Sequence, residues 1–287
     1  MIMLANQRLW ATIMLLSIAL SLAWVVAGCS SKMSTKKEQK LFAGAPYQPQ
    51  HRKLVVSGHH VHYVWAGDTT LQPLLFVHGS PGSWEDYVDY LKDSVLLTRY
   101  YIAAVDRPGF GQSDYGKPMV ELEDQSKLIS AVLADMSPTR PVVLVGHSYG
   151  GPLVVRVAMD DAAHVRAMVL LAAAVDPSLE EKEWFRPVAR NMSWVLPEML
   201  MASNEELAHL KQDLEEMLPL WPTLRLPIVD VHGTKDMLVP FGNLAFAQRQ
   251  AINAKPFMPI ILPKVNHFIP WSHHDTVRTV LMDLATK

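Results

Sequence analysis

A serine flanked by glycines is the clearest candidate for chemistry in this sequence. Ser148 lies within GHSYGG (residues 146–151), directly after the apolar run of residues 142–145 and before a predicted helix. A serine on such a sharp turn has its hydroxyl raised above the sheet, and the glycines let the strand and helix backbones approach closely. The start of the helix also directs backbone N–H groups toward negative charge. The motif predicts a nucleophilic serine next to a site that stabilises an anion.

The elements that must hold this serine follow from the hydrophobic pattern. Two apolar runs on either side of Gly58, at residues 54–57 and 60–66, predict an antiparallel hairpin. Later runs are apolar at nearly every position, as in parallel strands that are covered by helices on both faces. They comprise residues 74–77, 101–105, 142–145, 167–172, 228–231 and 259–262. The predicted fold is α/β, with an eight-stranded, mostly parallel sheet flanked by helices in one domain over residues 51–287.

Two further motifs occur at the ends of predicted strands. HGSPG (residues 78–82) follows the third strand, and DRPGFGQS (residues 106–113) follows the fourth. With these motifs and GHSYGG, the sequence resembles the α/β-hydrolase superfamily over essentially all of residues 54–287. The resemblance implies the α/β-hydrolase fold. It also implies that the backbone N–H groups of Ser80 and Tyr149 form an oxyanion hole.

The resemblance further implies a catalytic triad in the chain order Ser148, Asp236 and His267. A serine hydroxyl is a weak nucleophile, and it needs a base whose tautomer is held by a third group. In this superfamily the acid follows the seventh strand and the base follows the eighth, which are the positions of Asp236 and His267. Asp230 is a weaker candidate because it would lie within a strand, and the two histidines at 273–274 lie nearer the last helix.

Residues close to these motifs are interpreted as structural. We expect His78 and His147 to brace loops through hydrogen bonds of their rings. We expect Asp106 and Arg107 to stabilise the turn after the fourth strand.

The serine at position 148 selects among the activities of this superfamily. Haloalkane dehalogenases and epoxide hydrolases of the fold use an aspartate there, so Ser148 argues against both. The expected reaction is hydrolysis of a carboxylic ester, small or lipid, through an acyl-enzyme and without a metal or organic cofactor. A C–C bond hydrolase, a lactonase, an aminopeptidase and a perhydrolase use the same triad and are alternatives. A non-catalytic binding lipoprotein with this fold is an alternative of a different class.

An insertion at about residues 176–222 lies where the superfamily carries a helical cap, after the sixth strand. Ser203 and Glu206 predict a capping box at the start of a helix with one apolar face, and Pro219 follows its end. The earlier part is rich in tryptophan, phenylalanine and methionine, which form adaptable apolar surfaces. The insertion could be a lid over a hydrophobic pocket or simply pack against the core.

The N-terminal 28 residues predict export or membrane anchoring. Residues 9–27 carry no charge behind Arg8, and VAGCS (residues 26–30) resembles the lipobox of bacterial lipoproteins, in which Cys29 is lipidated. An uncleaved transmembrane helix is the alternative, because 19 apolar residues can just span a bilayer. Residues 29–50, with lysines and prolines, predict a flexible tether. We expect a membrane-anchored lipoprotein of the bacterial cell envelope that faces the periplasm or the exterior.

Composition excludes several other functions. The 287 residues contain 26 Lys and Arg against 28 Asp and Glu, for a formal net charge of −2. This balance lacks the broad basic field of a nucleic-acid-binding protein, so no nucleic-acid partner is expected. Cys29 is the single cysteine, which excludes an intrachain disulfide framework and a cysteine-based zinc site.

Overall fold

The structure is a computed structural model that describes residues 33–180 and 197–285. The predicted lipidation site at Cys29, the apolar run of residues 9–27 and the first part of the predicted cap lie outside these residues. Within the described ranges, no helix is long and apolar enough to cross a membrane.

The apolar runs of the sequence form the strands of one sheet, as predicted. The strands are β1 (Gln50–Val56), β2 (His59–Ala66), β3 (Gln72–Val77), β4 (Tyr100–Val105), β5 (Val142–His147), β6 (Val165–Leu171), β7 (Ile228–Gly233) and β8 (Phe257–Leu262). Their order in the sheet is β1-β2-β4-β3-β5-β6-β7-β8. Pairing is antiparallel between β1 and β2 and between β2 and β4, and it is parallel between the other neighbours.

Burial explains why these strands are so apolar. Strands β4, β5 and β7 are buried at every position, since helices cover both faces of the sheet. The last strand, β8, lies at the edge, and its residues are partly buried or exposed. Because parallel strands end at the same edge of a sheet, the loops after β3, β5, β7 and β8 meet there.

Helices connect the strands and cover the sheet. They are α1 (Thr35–Leu41), α2 (Val88–Leu91), α3 (Leu122–Met136), α4 (Gly150–Asp160), α5 (Glu198–Met217), α6 (Gly242–Gln250), α7 (Ile269–Ser272) and α8 (His274–Ala285). Short 3₁₀ helices occur at Trp84–Tyr87, Leu96–Thr98, Ala162–His164, Pro177–Leu179 and Leu218–Thr223. Helix α3 packs beside α4 and buries Leu128, Ile129 and Val132. Burial of each such side chain contributes roughly 1.5–3 kcal/mol.

The segment that the sequence predicts as a flexible tether contains ordered structure. Helix α1 lies within it, and Phe42, which directly follows α1, is fully buried. The Gln48 side chain donates a hydrogen bond of 3.1 Å to the Phe42 carbonyl. The chain is therefore folded well before β1.

The predicted capping box in the insertion is wrong. Helix α5 begins at Glu198, and Ser203 and Glu206 lie inside it among its buried residues. The five residues before Ser203 are mostly good helix formers, so the helix continues through them to an earlier start. The end of the helix is as predicted, since α5 ends at Met217 and a 3₁₀ helix containing Pro219 follows.

Candidate active site

Ser148 lies on a sharp turn between β5 and α4. Its φ angle is +55°, in the left-handed region that residues other than glycine rarely adopt. A Cβ atom on Gly146 would collide with the Gly150 carbonyl, and one on Gly150 would collide with the Val77 carbonyl. Both glycines are needed for the strand and the helix to meet this closely. Ser148 is partly exposed, while the residues on either side of it are buried.

Asp236 and His267 meet at the same edge of the sheet, in the loops after β7 and β8. His267 Nδ1 donates a hydrogen bond of 2.7 Å to Asp236 Oδ2. The other carboxylate oxygen, Oδ1, accepts hydrogen bonds from the backbone N–H groups of Leu238 and Val239 at 2.9 and 2.8 Å. A neutral imidazole that donates from Nδ1 has an unprotonated Nε2, which can accept a proton. The pair therefore has the form of a general base and its orienting acid.

Hydrogen bonding keeps the Asp236 carboxylate ionised. Burial alone would raise the pKa of Asp236, but the hydrogen bonds from His267 and from the Val239 N–H outweigh it, so the pKa lies below its ordinary value. An ionised carboxylate at this position holds the imidazole in one tautomer and stabilises the imidazolium that forms when Nε2 takes a proton.

His147 connects His267 to the serine turn. His147 Nε2 donates a hydrogen bond of 3.1 Å to the His267 carbonyl, and the two ring centroids are 4.8 Å apart. Burial, together with the neighbouring His267, lowers the pKa of His147 to about 3, so the ring is neutral at neutral pH. His147 directly precedes Ser148, so these contacts set His267 beside the serine turn. The prediction that His147 braces a loop is confirmed.

Among the described residues, no hydrogen bond joins Ser148 Oγ to the His267 ring. Catalytic hydrogen bonds are often long in a free enzyme and tighten only in the substrate complex. The structure thus brings Asp236 and His267 together next to the serine turn, and the contact between serine and imidazole stays a prediction.

The loop that carries Ser80 passes against the serine turn. A Cβ atom on Gly79 would lie 3.0 Å from the Ser148 Cβ, which places the neighbouring Ser80 backbone near the serine. Tyr149 lies between Ser148 and the start of α4. In the part of the chain that the structure describes, neither the Ser80 N–H nor the Tyr149 N–H donates to another protein atom. Both groups are free to donate to an anion, as the predicted oxyanion hole requires.

His78 braces the same loop, as predicted. Its Nδ1 donates a hydrogen bond of 2.7 Å to the Gly79 carbonyl, and its Nε2 accepts one of 2.9 Å from the Arg107 backbone N–H. Burial, and next the charge of Arg107, hold the pKa of His78 well below its ordinary value. The ring is therefore neutral and has one defined tautomer.

Asp106 also has the structural role that was predicted. Its carboxylate accepts hydrogen bonds from the backbone N–H groups of Trp84 and Gln112 at 2.8 and 2.9 Å, and it contacts His62 Nδ1 at 2.7 Å. These bonds fix the turn after β4. Although a histidine and a carboxylate meet here, no group of three or more His, Cys, Asp or Glu residues in the described ranges is arranged to hold a metal ion.

Sequence reasoning missed the main partner of Arg107. The guanidinium forms hydrogen bonds of 2.7 and 2.8 Å with the Glu206 carboxylate, and the two side chains are only 0 and 1% exposed. Arg107 therefore does more than stabilise a turn. Glu206 lies on the same buried face of α5 as Met199 and Leu210. A carboxylate on the apolar face of a helix predicts a buried cation as its partner. Glu206 can be placed on that face only when the helix is known to start at Glu198.

Exposed apolar side chains flank the Asp236–His267 pair. Met237 and Leu238, directly after Asp236, are 93 and 66% exposed, and Phe268, directly after His267, is 50% exposed. Large apolar side chains that are exposed beside a polar site are typical of surfaces that bind apolar ligands.

Comparison with known proteins agrees with this architecture. The family model described as alpha/beta hydrolase fold matches residues 72–208. Monoglyceride lipase of Homo sapiens is 27% identical over 208 residues, which are 70% of this chain and 64% of that protein. The crystal structure of a membrane phospholipase A, a bacterial virulence factor, is 16% identical with a TM-score of 0.65, covering 98% of this chain and 99% of that chain. The hydrolase of 2-hydroxy-6-oxo-6-phenylhexa-2,4-dienoate (BphD) from Rhodococcus sp. strain RHA1 is 15% identical with a TM-score of 0.65, covering 83% of this chain and 98% of that chain.

These matches, together with the strand order and the serine turn after β5, show that the chain has the α/β-hydrolase fold. The predicted fold class is thus confirmed. The chain spans less than two thirds of the length of two curated relatives: 44% of the uncharacterized hydrolase YugF of Bacillus subtilis and 64% of human monoglyceride lipase.

Proposed function

We propose that the protein is a serine hydrolase that cleaves carboxylic esters through an acyl-enzyme. One observation carries this proposal: the hydrogen-bonded pair of Asp236 and His267 is set against the turn that holds Ser148 in a left-handed backbone conformation. A nucleophile, a base and an acid that orients the base are the three parts that serine acyl transfer needs.

The first half of the reaction forms the acyl-enzyme. Ser148 Oγ attacks the ester carbonyl carbon while His267 Nε2 takes the hydroxyl proton, and the carbonyl electron pair moves onto the oxygen. The resulting oxyanion accepts hydrogen bonds from the N–H groups of Ser80 and Tyr149. When the carbonyl re-forms, the C–O bond to the alcohol breaks, and the leaving alcohol takes the proton from Nε2.

The second half of the reaction releases the acid. A water molecule gives a proton to His267 Nε2 as its oxygen attacks the acyl carbon, and a second oxyanion forms at the same two N–H groups. The bond to Ser148 Oγ then breaks, Oγ regains the proton, and the carboxylic acid leaves.

We propose esters with an apolar acyl or alcohol part, including lipid esters, as substrates. The exposed Met237, Leu238 and Phe268 next to the Asp236–His267 pair support this choice. The names of two similar proteins, a monoglyceride lipase and a membrane phospholipase A, support it as well.

Turnover of p-nitrophenyl butyrate by the wild type and by Ser148→Ala tests the reaction. We expect the wild type to be active and to form one adduct with a fluorophosphonate probe at Ser148, and we expect the variant to lose both properties. Activity that survives in Ser148→Ala would refute the assignment. A folded wild type with neither turnover nor adduct would instead support the non-catalytic binding lipoprotein.

A substrate panel separates the alternatives that use the same triad. Esters of increasing acyl length, a monoacylglycerol, a lactone, an aminoacyl amide and a vinylogous diketone represent the competing reactions, with peroxide present in one arm for perhydrolysis. We expect the highest kcat/KM on an ester with a long acyl chain. A preference for the diketone would identify a C–C bond hydrolase.

We also propose that lipid on Cys29 anchors the protein to the bacterial cell envelope, with the hydrolase domain facing the periplasm or the exterior. The VAGCS sequence at residues 26–30 supports this location. Mass spectrometry of the mature N-terminus tests it. A diacylglyceryl group on Cys29 as the first residue is expected, whereas an unmodified Met1 in the membrane fraction would indicate an uncleaved anchor.

A further inference from the structure

We propose that Arg107 is a positioning residue that fixes both oxyanion donors and, through Glu206, joins them to helix α5. This inference rests on the proposed function. Arg107 touches no reacting atom in the proposed mechanism, and its effect would be transmitted through the two residues that supply the N–H groups.

The first donor is fixed through the peptide unit that joins Gly79 to Ser80. Arg107 Nη2 donates a hydrogen bond of 2.9 Å to the Gly79 carbonyl, which also accepts the 2.7 Å bond from His78 Nδ1. The Gly79 carbonyl and the Ser80 N–H belong to one planar trans peptide unit, so they point in opposite directions. Holding the oxygen therefore sets the direction of the Ser80 N–H.

A second hydrogen bond prevents the loop from rotating as a whole. Arg107 Nε donates a bond of 2.9 Å to the carbonyl of His78, one residue earlier. With two successive carbonyls bound by one planar guanidinium, both peptide units before Ser80 are held.

The second donor is fixed through the side chain of Tyr149. The Arg107 guanidinium carbon lies 4.4 Å from the centre of the Tyr149 ring, in a cation–π contact. Gln125 strengthens this contact, because its Oε1 accepts a hydrogen bond from Arg107 Nη1 and its Nε2 donates one to the Tyr149 hydroxyl, both of 3.1 Å. One guanidinium thus contacts the residues that carry both donors.

Glu206 makes this arrangement possible and links it to α5. A guanidinium buried without a counter-charge is strongly unfavourable, and Glu206 supplies that charge through a bidentate pair. Ser203, one turn earlier on the same face of α5, contacts Ser80 directly, with 2.7 Å between the two hydroxyl oxygens. The donor loop is therefore attached to α5 at two points.

The arrangement predicts that a substitution of Glu206 on α5, which touches no reacting atom in the proposed mechanism, changes kcat. We would compare Arg107→Lys and Glu206→Gln with the wild type on p-nitrophenyl butyrate. Arg52→Lys is the matched control, because Arg52 also forms a two-bond pair with a carboxylate, that of Asp135, on the exposed surface.

Because removal of one oxyanion donor lowers kcat about 10²–10³-fold, misplacing it should lower kcat about 10- to 100-fold in both site variants. KM should stay within about three-fold, since the donors act mainly on the transition state. The control Arg52→Lys should keep the wild-type kcat. A loss in Arg107→Lys and Glu206→Gln that falls on KM, or kcat unchanged in both, would overturn the inference.

A measurement that needs no substrate separates this inference from the proposed function. In ¹⁵N–¹H spectra of the folded proteins, the Ser80 and Tyr149 amide signals should shift in Arg107→Lys and Glu206→Gln but not in Arg52→Lys. Amide signals that stay at their wild-type positions would refute the positioning role. If the wild type cleaves no ester but these signals shift, the proposed function fails and the positioning role stands. If Arg107→Lys does not fold, Glu206→Gln and Ser203→Ala provide the same readout.

Discussion

Asp236 and His267 are joined by a hydrogen bond of 2.7 Å, although they lie in different loops after different strands. The remaining oxygen of the carboxylate is held by two backbone N–H groups of its own loop. The carboxylate therefore cannot turn away from the imidazole without breaking those bonds. This relationship makes the histidine tautomer a property of the fold, and it can be tested by substitution.

We predict that Asp236→Asn lowers kcat by roughly 10⁴-fold at neutral pH, as replacement of the triad aspartate by asparagine does in a serine protease. An asparagine amide can present an N–H to His267 Nδ1, which would favour the tautomer with the proton on Nε2, where it cannot accept one from serine. Asp230→Asn is the matched control, since Asp230 is a buried aspartate on β7 whose pKa burial raises to about 8. At pH 7 its replacement exchanges one neutral group for another and should change kcat less than three-fold, an estimate based on the small effect of isosteric replacement. Equal losses in the two variants would show that the effect is general damage to the core.

Asp230 should also make the folded protein less stable as the pH rises. Its Oδ1 has no hydrogen-bond partner among the described residues, and burial raises its pKa from 3.8 to about 8. Between these values the folded state keeps a proton that the unfolded state has lost, so the free energy of unfolding falls as the pH rises. Asp230→Asn should remove this dependence and be more stable than the wild type at pH 8 by on the order of a few kcal/mol. Urea unfolding at several pH values measures the difference, which should shrink toward pH 4; a difference independent of pH would contradict the prediction.

The left-handed backbone conformation of Ser148 should lower the free energy of unfolding of the protein. Because a left-handed conformation costs a residue with a Cβ about 1–2 kcal/mol but costs glycine almost nothing, Ser148→Gly should be about 1 kcal/mol more stable than Ser148→Ala. Both variants should be inactive. Ser126, within α3, gives the reverse control, because glycine in a helix is about 1 kcal/mol less favourable than alanine. Urea midpoints that place Ser148→Gly at or below Ser148→Ala would show that the turn is not strained.

Much of the fold can be predicted from the sequence because its signals are local. Strands that are covered on both faces must be apolar at nearly every position, and β3 to β7 are recognisable for that reason. Candidate site residues are also marked locally, since Ser148, Asp236 and His267 each directly follow or closely follow such a run. Their assignment to one site needed the family resemblance as well.

The connection between the site and α5 could not be predicted in the same way. Arg107 and Glu206 are 99 residues apart, and the sequence around neither residue predicts that the two are paired. Ser203 and Glu206 also have the spacing of a capping box, which hid their position on the buried side of a longer helix. The spacing of Ser203 and Glu206 fits both the start and the interior of a helix. Packing against the rest of the protein determines which of the two forms, and packing cannot be read from the local sequence.

His147 provides a test of how closely the proposed base, His267, is held in position. Its Nε2–H satisfies the buried carbonyl of His267, and its low pKa of about 3, caused by burial and then by the neighbouring His267, keeps it neutral above that pH. The same carbonyl also accepts a hydrogen bond of 2.9 Å from the Ile269 N–H, so it keeps one partner when His147 is replaced. His147→Leu should therefore lower stability by the net value of one hydrogen bond, about 0.5–1.5 kcal/mol, and let His267 shift, with a fall in kcat of about ten-fold or more. His147→Gln can still donate to the carbonyl and should recover most of both losses. Because His147 does not titrate between pH 5 and pH 9 (roughly the working range for these assays), neither variant should gain or lose a step in the pH–rate profile. A step that disappears in His147→Gln would mean that His147, rather than His267, is the base, and the assignment of the two histidines would have to be exchanged.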